Sequence, residues 1–263
     1  MGRYNARHMS VIHLVRHGQA SFGSHDYDRL SPRGIKQVRH LRAHWDTLDE
    51  LPNTIYSGPL RRQRETAELL AQSTDIPVIE NIAFKEFDAG RVLTAHAIAS
   101  GLNPQDPQSA HSLEYHQGHL DSAMGANTYA DQATALEDTP KAQLQRFQYA
   151  LESATLAWTR GELVGDFESW LDFHKRVTQG LDDVFNRVGR GQQVVICTSA
   201  GVIGTALGHV MGLTHEAAIR LSWVLLNASV SSLLFDGRRC SVWQFNALPH
   251  LQQPETRALQ TRI

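Results

Sequence analysis

Cysteine, net charge and long hydrophobic runs are all scarce in this sequence. The chain of 263 residues has two cysteines, Cys197 and Cys240, both in apolar, strand-like segments, so no disulfide framework or cysteine-based metal site is expected. This scarcity favours a reducing, cytoplasmic location. The formal net charge of −2 provides no general attraction to nucleic acid or to an anionic membrane. No apolar run is long enough to span a bilayer, and the polar start of the chain lacks the apolar segment of a secretory signal.

Hydrophobic residues make up 41% of the chain, which is enough for a large core. Short β-branched runs alternate with segments of helical periodicity on both sides of a middle stretch with irregular spacing. This pattern predicts an α/β fold, a three-layer αβα sandwich around a mostly parallel sheet. We expect one domain over residues 10–250, with a largely helical or irregular insertion at about 91–165 that acts as a lid. Residues 1–9 and 251–263 are predicted to be a disordered leader and a loose tail.

The first predicted strand ends in Arg16-His17-Gly18, followed by Gln19. In parallel α/β sheets, ligands bind just beyond the carboxyl ends of the strands, so these side chains are expected to face a crevice. Arginine supplies a permanent charge for an oxyanion, and neutral histidine supplies a nitrogen nucleophile. Glycine allows a tight turn or a close approach to a ligand. The combination indicates phosphate chemistry.

Two further strand ends lead directly into helices. The strand at Thr54–Ser57 is followed by a helix whose first turns carry Arg61, Arg62 and Arg64, where free backbone N–H groups already favour an anion. The strongest buried strand, 193–197, turns at Thr198-Ser199-Ala200-Gly201 into another helix. Both strand ends are therefore candidates for the same crevice.

Two groups of histidines carry little evidence for a metal site. His40 and His44 are four residues apart on a predicted helix, but no third ligand is evident near them in the sequence. His111, Glu114, His116 and His119 lie in the irregular middle stretch without periodicity and are better explained as polar residues of the lid. No metal is predicted.

The order and spacing of these motifs resemble the histidine phosphatase superfamily, in its phosphoglycerate-mutase-like branch. The resemblance covers about Ser10 to Asn246 and is weakest in the middle insertion. The matching pieces are Leu14-Val15-Arg16-His17-Gly18, Leu30-Ser31-Pro32-Arg33-Gly34, Tyr56-Ser57-Gly58-Pro59-Leu60-Arg61-Arg62, Glu86 before Gly90, Glu168-Ser169 before Arg176-Val177, Gly201-Val202-Ile203, and Asn227-Ala228-Ser229-Val230-Ser231.

The resemblance implies a role for each matching residue. His17 is similar to the nucleophile that becomes a phosphohistidine, and Arg16 and Arg62 are similar to the two phosphate clamps. Glu86 is similar to the acid that protonates the leaving oxygen, although Asp88 is close enough in sequence to be the alternative. For this chain no metal or other cofactor is predicted, and the expected partner is a small phosphorylated substrate or phosphate. The sequence carries no signal of oligomeric state, so a homodimer stays open.

One position departs from the family pattern. Where the family has its second histidine, this chain has Ser199, so a cationic donor to the phosphoryl group is replaced by a neutral hydroxyl. Deleting one preorganised donor costs roughly 10²–10³ in rate in other enzymes, so weakened activity is expected. Ser199, the amide of Ala200 and Gln19 are predicted to join the phosphate-binding residues, and His25 or His96 could replace the missing ring.

The charge of the insertion favours a phosphatase over a mutase that must hold a doubly phosphorylated substrate. Residues 91–165 contain four cationic side chains and eight carboxylates. The cations are Arg91, Lys141, Arg146 and Arg160, and the carboxylates are Asp106, Glu114, Asp121, Asp131, Glu137, Asp138, Glu152 and Glu162. A phosphate monoester is therefore the expected substrate class.

Two other classes of function stay open at this point. The missing histidine is also compatible with a non-catalytic relative that binds a phosphorylated ligand or a protein. More remotely, Ser199 at a strand-to-helix turn, with Asp236 and His250 later in the chain, follows the order of a serine hydrolase triad.

Overall fold

The computed structural model describes residues 9–21, 26, 28–48, 51–101 and 140–262, with side chains from residue 147 onward in the last range. The described residues form two compact units. One unit contains the described residues of 9–20, 28–86 and 174–262, and the other contains those of 21–27 and 87–173.

The described elements alternate between strand and helix on either side of the second unit. In chain order they are β1 (Ser10–Arg16), α1 (Pro32–Leu48), β2 (Thr54–Ser57), α2 (Arg61–Ala71), β3 (Val78–Glu80), a 3₁₀ turn (Ile82–Phe84), α3 (Ala89–Ala99), α4 (Pro140–Thr159), α5 (Trp170–Arg187), β4 (Gln193–Thr198), α6 (Ala200–Met211), α7 (His215–Ser222), β5 (Val230–Phe235), β6 (Cys240–Ala247), a second 3₁₀ turn (Pro249–Leu251) and α8 (Pro254–Arg257).

The six strands form one mixed sheet in the order β3-β2-β4-β1-β5-β6. The first four in that order run parallel, and β5 and β6 add an antiparallel hairpin at one side. The pairing of β1 with β4 places Arg16 beside Thr198, and that of β2 with β4 places Ser57 beside Cys197. The carboxyl ends of three neighbouring strands therefore lie together along one edge of the sheet, as the prediction of a mostly parallel α/β sheet requires.

Helices α1 and α2 cover one face of the sheet. Val15, Ile55 and Val195 point to this face and pack with the apolar stripes of the two helices, which include Val38, Leu41, Trp45, Ala67 and Leu70. The start of α1 follows from its sequence, because Ser31 precedes Pro32 and its hydroxyl accepts a hydrogen bond from the Gly34 amide at 3.0 Å. The alternate strand residues Ile12, Leu14 and Ile196 are also fully buried, and α6 packs against β1 and β6.

The second unit has its own aromatic cluster. The rings of Phe87 and Trp158 have centroids 4.6 Å apart, and Trp158 meets Trp170 edge-on at 5.1 Å. Phe173 completes the cluster and is fully buried. Helix α3 begins after Asp88, whose carboxylate accepts a hydrogen bond from the Arg91 amide at 3.0 Å. The polar group of His111, Glu114, His116 and His119 lies outside the described residues. The lid role of the insertion stays a prediction.

The strands and the long helices agree closely with the sequence patterns, and two regions differ. The short apolar run Ile76–Ile79 in the sequence indicates a third strand. The strand in the structure is Val78–Glu80, and all three of its residues are exposed because it is the outermost strand of the sheet. The polar composition after residue 250 favoured a loose tail, but Thr261 is anchored there. Its hydroxyl accepts a hydrogen bond from the Gln37 amide at 2.8 Å, and its carbonyl accepts one from the Asn227 N–H at 2.8 Å.

No helix in the described part of the chain is both long and apolar enough to cross a membrane.

A buried histidine makes the stability of the fold depend on pH. His250 is 7% exposed, and neither ring nitrogen has a hydrogen-bond partner among the described residues. Burial, with smaller contributions from His44 and His40, lowers the pKa of His250 from 6.5 to about 3. Between these two values the unfolded chain binds a proton that the folded chain rejects, so stability falls as the pH falls below 6.5.

We therefore expect the free energy of unfolding of His250→Leu to decrease less than that of the wild type as the pH is lowered. At about pH 5 the wild type should lose up to about 2 kcal/mol through this group relative to about pH 7.5, and the variant should be spared that loss. Urea unfolding of both proteins across this range measures the difference. Parallel stability curves would contradict the prediction.

Candidate active site

The site begins where three strands end side by side. The His17 N–H donates to the Thr198 carbonyl at 2.8 Å, which extends the β1–β4 pairing by one residue, and the Gly58 N–H donates to the Cys197 carbonyl at 3.1 Å. His17 and Ser199 are therefore lateral neighbours at the same edge of the sheet. Helices α2 and α6 begin directly after these strand ends and direct their N-terminal amides toward this edge.

The His17 ring is held between two groups that each have a single hydrogen-bonding role. Nδ1 lies 2.7 Å from the Gly18 carbonyl, which can only accept, and Nε2 lies 3.2 Å from Nε of Arg62, which can only donate. The proton of neutral His17 is therefore on Nδ1, and the lone pair is on Nε2. The nitrogen that a nucleophile needs is the one that faces the arginine.

The surroundings of His17 also keep the ring neutral. The residue is 6% exposed, and burial lowers its pKa well below 6.5, with further lowering by the charges of Arg62 and Arg16. At neutral pH the Nε2 lone pair is thus unprotonated, and it accepts the hydrogen bond from Arg62.

Both predicted arginine clamps are fixed by anchors of their own. An NH1 hydrogen of Arg16 donates to the Leu225 carbonyl at 2.6 Å. The guanidinium of Arg62, 12% exposed, pairs with one oxygen of Asp28 at 2.5 Å. The other oxygen of Asp28 accepts the Arg61 N–H at 2.7 Å, so this carboxylate ties the Arg62 side chain to the start of α2.

Glu86 reaches the same edge through a loop that is tightly held. Its Oε2 accepts the Gly201 N–H at 2.8 Å, in the first turn of α6. The guanidinium of Arg176 donates to the carbonyls of Ala83 and Lys85 at 2.9 and 3.0 Å and so fixes the segment that precedes Glu86. Asp88 instead caps α3 in the second unit. This geometry favours Glu86 over Asp88 as the acid.

Ser199, which the resemblance to the family predicts to stand at the position of the second histidine, is buried, with 2% exposure. Its Oγ accepts a hydrogen bond at 2.8 Å from Nε2 of Gln63, a fully buried amide in the first turn of α2. His96 donates to or accepts from Ser153 at 3.1 Å in the second unit, and His25 lies outside the described residues.

The remaining predicted residues have structural partners. Oε1 of Gln19 accepts a hydrogen bond from the Ser31 hydroxyl at 3.1 Å. Ala200 is the first residue of α6, so its amide belongs to the helix start. Gly18 serves the approach of α1 to the strand end, because a Cβ there would lie 2.6 Å from the Gly34 carbonyl oxygen.

Three residues of the site, Asp28, Gln63 and Arg176, were not assigned a role from the sequence. Each is a polar residue in a loop or helix that is distant in sequence from the group it holds. Gln63 carries the clearest available signal, since glutamine three residues after a helix N-cap is typical of a capping residue, and its side chain does accept the Leu60 N–H at 3.1 Å.

The serine hydrolase alternative has no assembled triad. Asp236 accepts the amides of Arg238 and Arg239 at 2.9 and 2.7 Å in the β5–β6 turn, and the ring nitrogens of His250 have no partner among the described residues. Across the same residues, no three His, Cys, Asp or Glu side chains are arranged to hold a metal ion. Burial raises the pKa of the Cys197 thiol, which argues against a thiolate nucleophile.

Many solved structures have the same fold, and the three described in this paragraph are distant from the chain in sequence. YhfR of Bacillus stearothermophilus superposes with a TM-score of 0.59 at 16% identity and covers 92% of this chain and 98% of its own. A putative alpha-ribazole-5′-P phosphatase from Escherichia coli gives 0.58 at 14% identity, covering 90% and 97%. The phosphate complex of mycobacterial glucosyl-3-phosphoglycerate phosphatase gives 0.57 at 18%, covering 92% and 99%.

Sequence comparison identifies the family of the chain. No curated protein matches the sequence. The profile of the histidine phosphatase superfamily (branch 1) matches residues 12–124 and 132–248, which is most of the chain. With this match and the shared fold, the chain belongs to the histidine phosphatase superfamily, branch 1.

Proposed function

We propose that the protein hydrolyses a phosphate monoester through a phosphohistidine on Nε2 of His17. The observation that carries this proposal is the state of the His17 ring, which is neutral, carries its proton on Nδ1 and faces Arg62 with its lone pair. Family membership supports an enzyme that acts on phosphate groups.

The reaction proceeds in two displacements. Nε2 of His17 attacks the phosphorus in line, the bond to the leaving oxygen breaks, and Glu86 donates a proton to that oxygen. The phosphorylated ring is then positively charged, and its Nδ1–H keeps its hydrogen bond to the Gly18 carbonyl. Water next attacks the phosphohistidine while the Glu86 carboxylate takes its proton, which releases phosphate and restores neutral His17.

The charge on the transferring group is balanced by fewer cations than the family pattern provides. Arg16 and Arg62 supply two fixed positive charges, and the hydroxyl of Ser199 supplies a hydrogen bond without charge. Asp28 offsets part of the charge of Arg62. A hydrogen bond to a charged group contributes about 1.5–3 kcal/mol, so one lost cationic partner weakens catalysis without removing the nucleophile. This reasoning favours a slow phosphatase over a non-catalytic binding protein.

The substrate is a small monophosphorylated molecule. Both cations of the insertion whose side chains are described lie beside carboxylates: Arg91 is 2.7 Å from Asp166, and Arg160 is 4.0 Å from Glu162. These pairings leave the insertion poorly suited to a second phosphate group, which disfavours mutase activity. The phosphatases of similar fold named above are the precedent for a small phosphate ester.

Replacement of the nucleophile is the direct kinetic test. His17→Ala should reduce chelator-resistant hydrolysis of p-nitrophenyl phosphate by at least about 10³-fold, because no other group in the site can carry the phosphoryl group. His209→Gln, at an exposed histidine near the end of α6, is the matched control and should keep wild-type turnover. Hydrolysis that persists in the purified His17→Ala protein would refute the proposal.

Restoring the cation should raise the rate, provided that space is made for it. Ser199→His combined with Gln63→Ala keeps the local volume roughly constant, whereas Ser199→His alone overpacks a buried site. The double variant should hydrolyse p-nitrophenyl phosphate with a kcat about 10-fold or more above wild type. If wild type is inactive and the double variant turns over, the chain is a binding protein descended from a phosphatase. Inactivity of both would argue against any catalytic reading.

A further inference from the structure

The amide of Gln63 has only one orientation that satisfies its neighbours. Its Oε1 accepts the Leu60 N–H at 3.1 Å, and its Nε2 donates to the Phe84 carbonyl at 3.2 Å. A backbone N–H can only donate and a carbonyl can only accept, so exchanging the amide oxygen and nitrogen would break both bonds. The side chain is fully buried, so no water substitutes for either partner.

The fixed orientation of the Gln63 amide determines whether the Ser199 hydroxyl donates or accepts in the hydrogen bond between them. Because Nε2 of Gln63 is a donor, the Ser199 Oγ at 2.8 Å must accept, and the hydroxyl proton points elsewhere. Within the described part of the chain, the Ser199 side chain makes no other hydrogen bond. The neighbouring Thr198 hydroxyl is already committed, since it donates to the Phe84 carbonyl at 2.7 Å.

We propose that Gln63 is a positioning residue that holds the Ser199 hydroxyl as a hydrogen-bond donor to the phosphoryl group at His17. Ser199 follows Thr198 just as His17 follows Arg16, on adjacent parallel strands, so the two residues are lateral neighbours. The inference rests on the proposed function and adds a second part to it. The pair of Gln63 and Ser199 replaces the family's second histidine with an oriented neutral donor.

Reversing the hydrogen bond to Ser199 tests this role with almost no change in side-chain size; the carboxylate also loses the donor to the Phe84 carbonyl, whether or not the Ser199 hydroxyl is present. In Gln63→Glu the ionised carboxylate accepts from Ser199, which turns the hydroxyl proton away from the phosphoryl group. We expect kcat for p-nitrophenyl phosphate to fall about 10- to 100-fold at about pH 8. The deficit relative to wild type should shrink toward about pH 5, because a protonated carboxyl group donates to Ser199 as the amide did.

The same substitution in a Ser199→Ala background separates positioning from a general structural effect. There the hydroxyl is absent, so Gln63→Glu should change kcat by less than about 2-fold and the deficit should not depend on pH. An equal loss in both backgrounds, or a deficit that stays constant with pH, would overturn the inference. If Gln63→Glu does not fold, Gln63→Met is used, with a loss of about 3- to 10-fold expected only when Ser199 is present.

Binding of inorganic phosphate distinguishes this inference from the proposed function. Calorimetry on wild type, Gln63→Glu, Ser199→Ala and the double variant needs no turnover. If hydrolysis is absent or survives His17→Ala, the proposed phosphatase fails, while phosphate affinity that Gln63→Glu lowers only in the presence of Ser199 still supports positioning. Equal phosphate affinity in wild type and Gln63→Glu would overturn the positioning role.

Discussion

The parallel pairing of β1 with β4 is the constraint on which the site depends. Its register sets Arg16 beside Thr198, and the next hydrogen bond, from the His17 N–H to the Thr198 carbonyl, sets His17 beside Ser199. With β2 on the other side of β4, three strands end together and two helices begin there. A shift of one residue would turn the nucleophile to the opposite face of the sheet, so register and chemistry are linked.

Partners with a single hydrogen-bonding role determine where the protons of the site lie. The Gly18 carbonyl and the Arg62 guanidinium leave His17 only one neutral tautomer, and the Leu60 N–H and Phe84 carbonyl leave Gln63 only one amide orientation. Such arrangements fix the positions of these protons before substrate arrives, which is one part of electrostatic preorganisation. In the proposed mechanism, an oriented neutral donor compensates for the missing cation of the second histidine, and two arginines carry the positive charge.

Much of this arrangement was predictable from sequence because the signals are local. The runs 11–15 and 193–197 are short, apolar and bounded by turns, and each lies in a strand of the structure. The contacts of Asp28, Gln63 and Arg176, which hold the predicted site residues in place, were not predictable. Each of these side chains contacts a residue that is distant in the sequence, and a polar side chain is equally typical of a solvated surface. The anchored tail illustrates the same limit, because its partners Gln37 and Asn227 are far from it in the chain.

The most direct test of the account is to locate the phosphoryl group during turnover. Wild-type protein is mixed with an excess of p-nitrophenyl phosphate, quenched with alkali within milliseconds, digested and analysed by mass spectrometry. If hydrolysis proceeds through a phosphohistidine, the peptide that contains His17 carries an acid-labile phosphate on Nε2, and the same peptide from His17→Ala carries none. Turnover with no phosphorylated histidine, or with the phosphate on another residue, would contradict it.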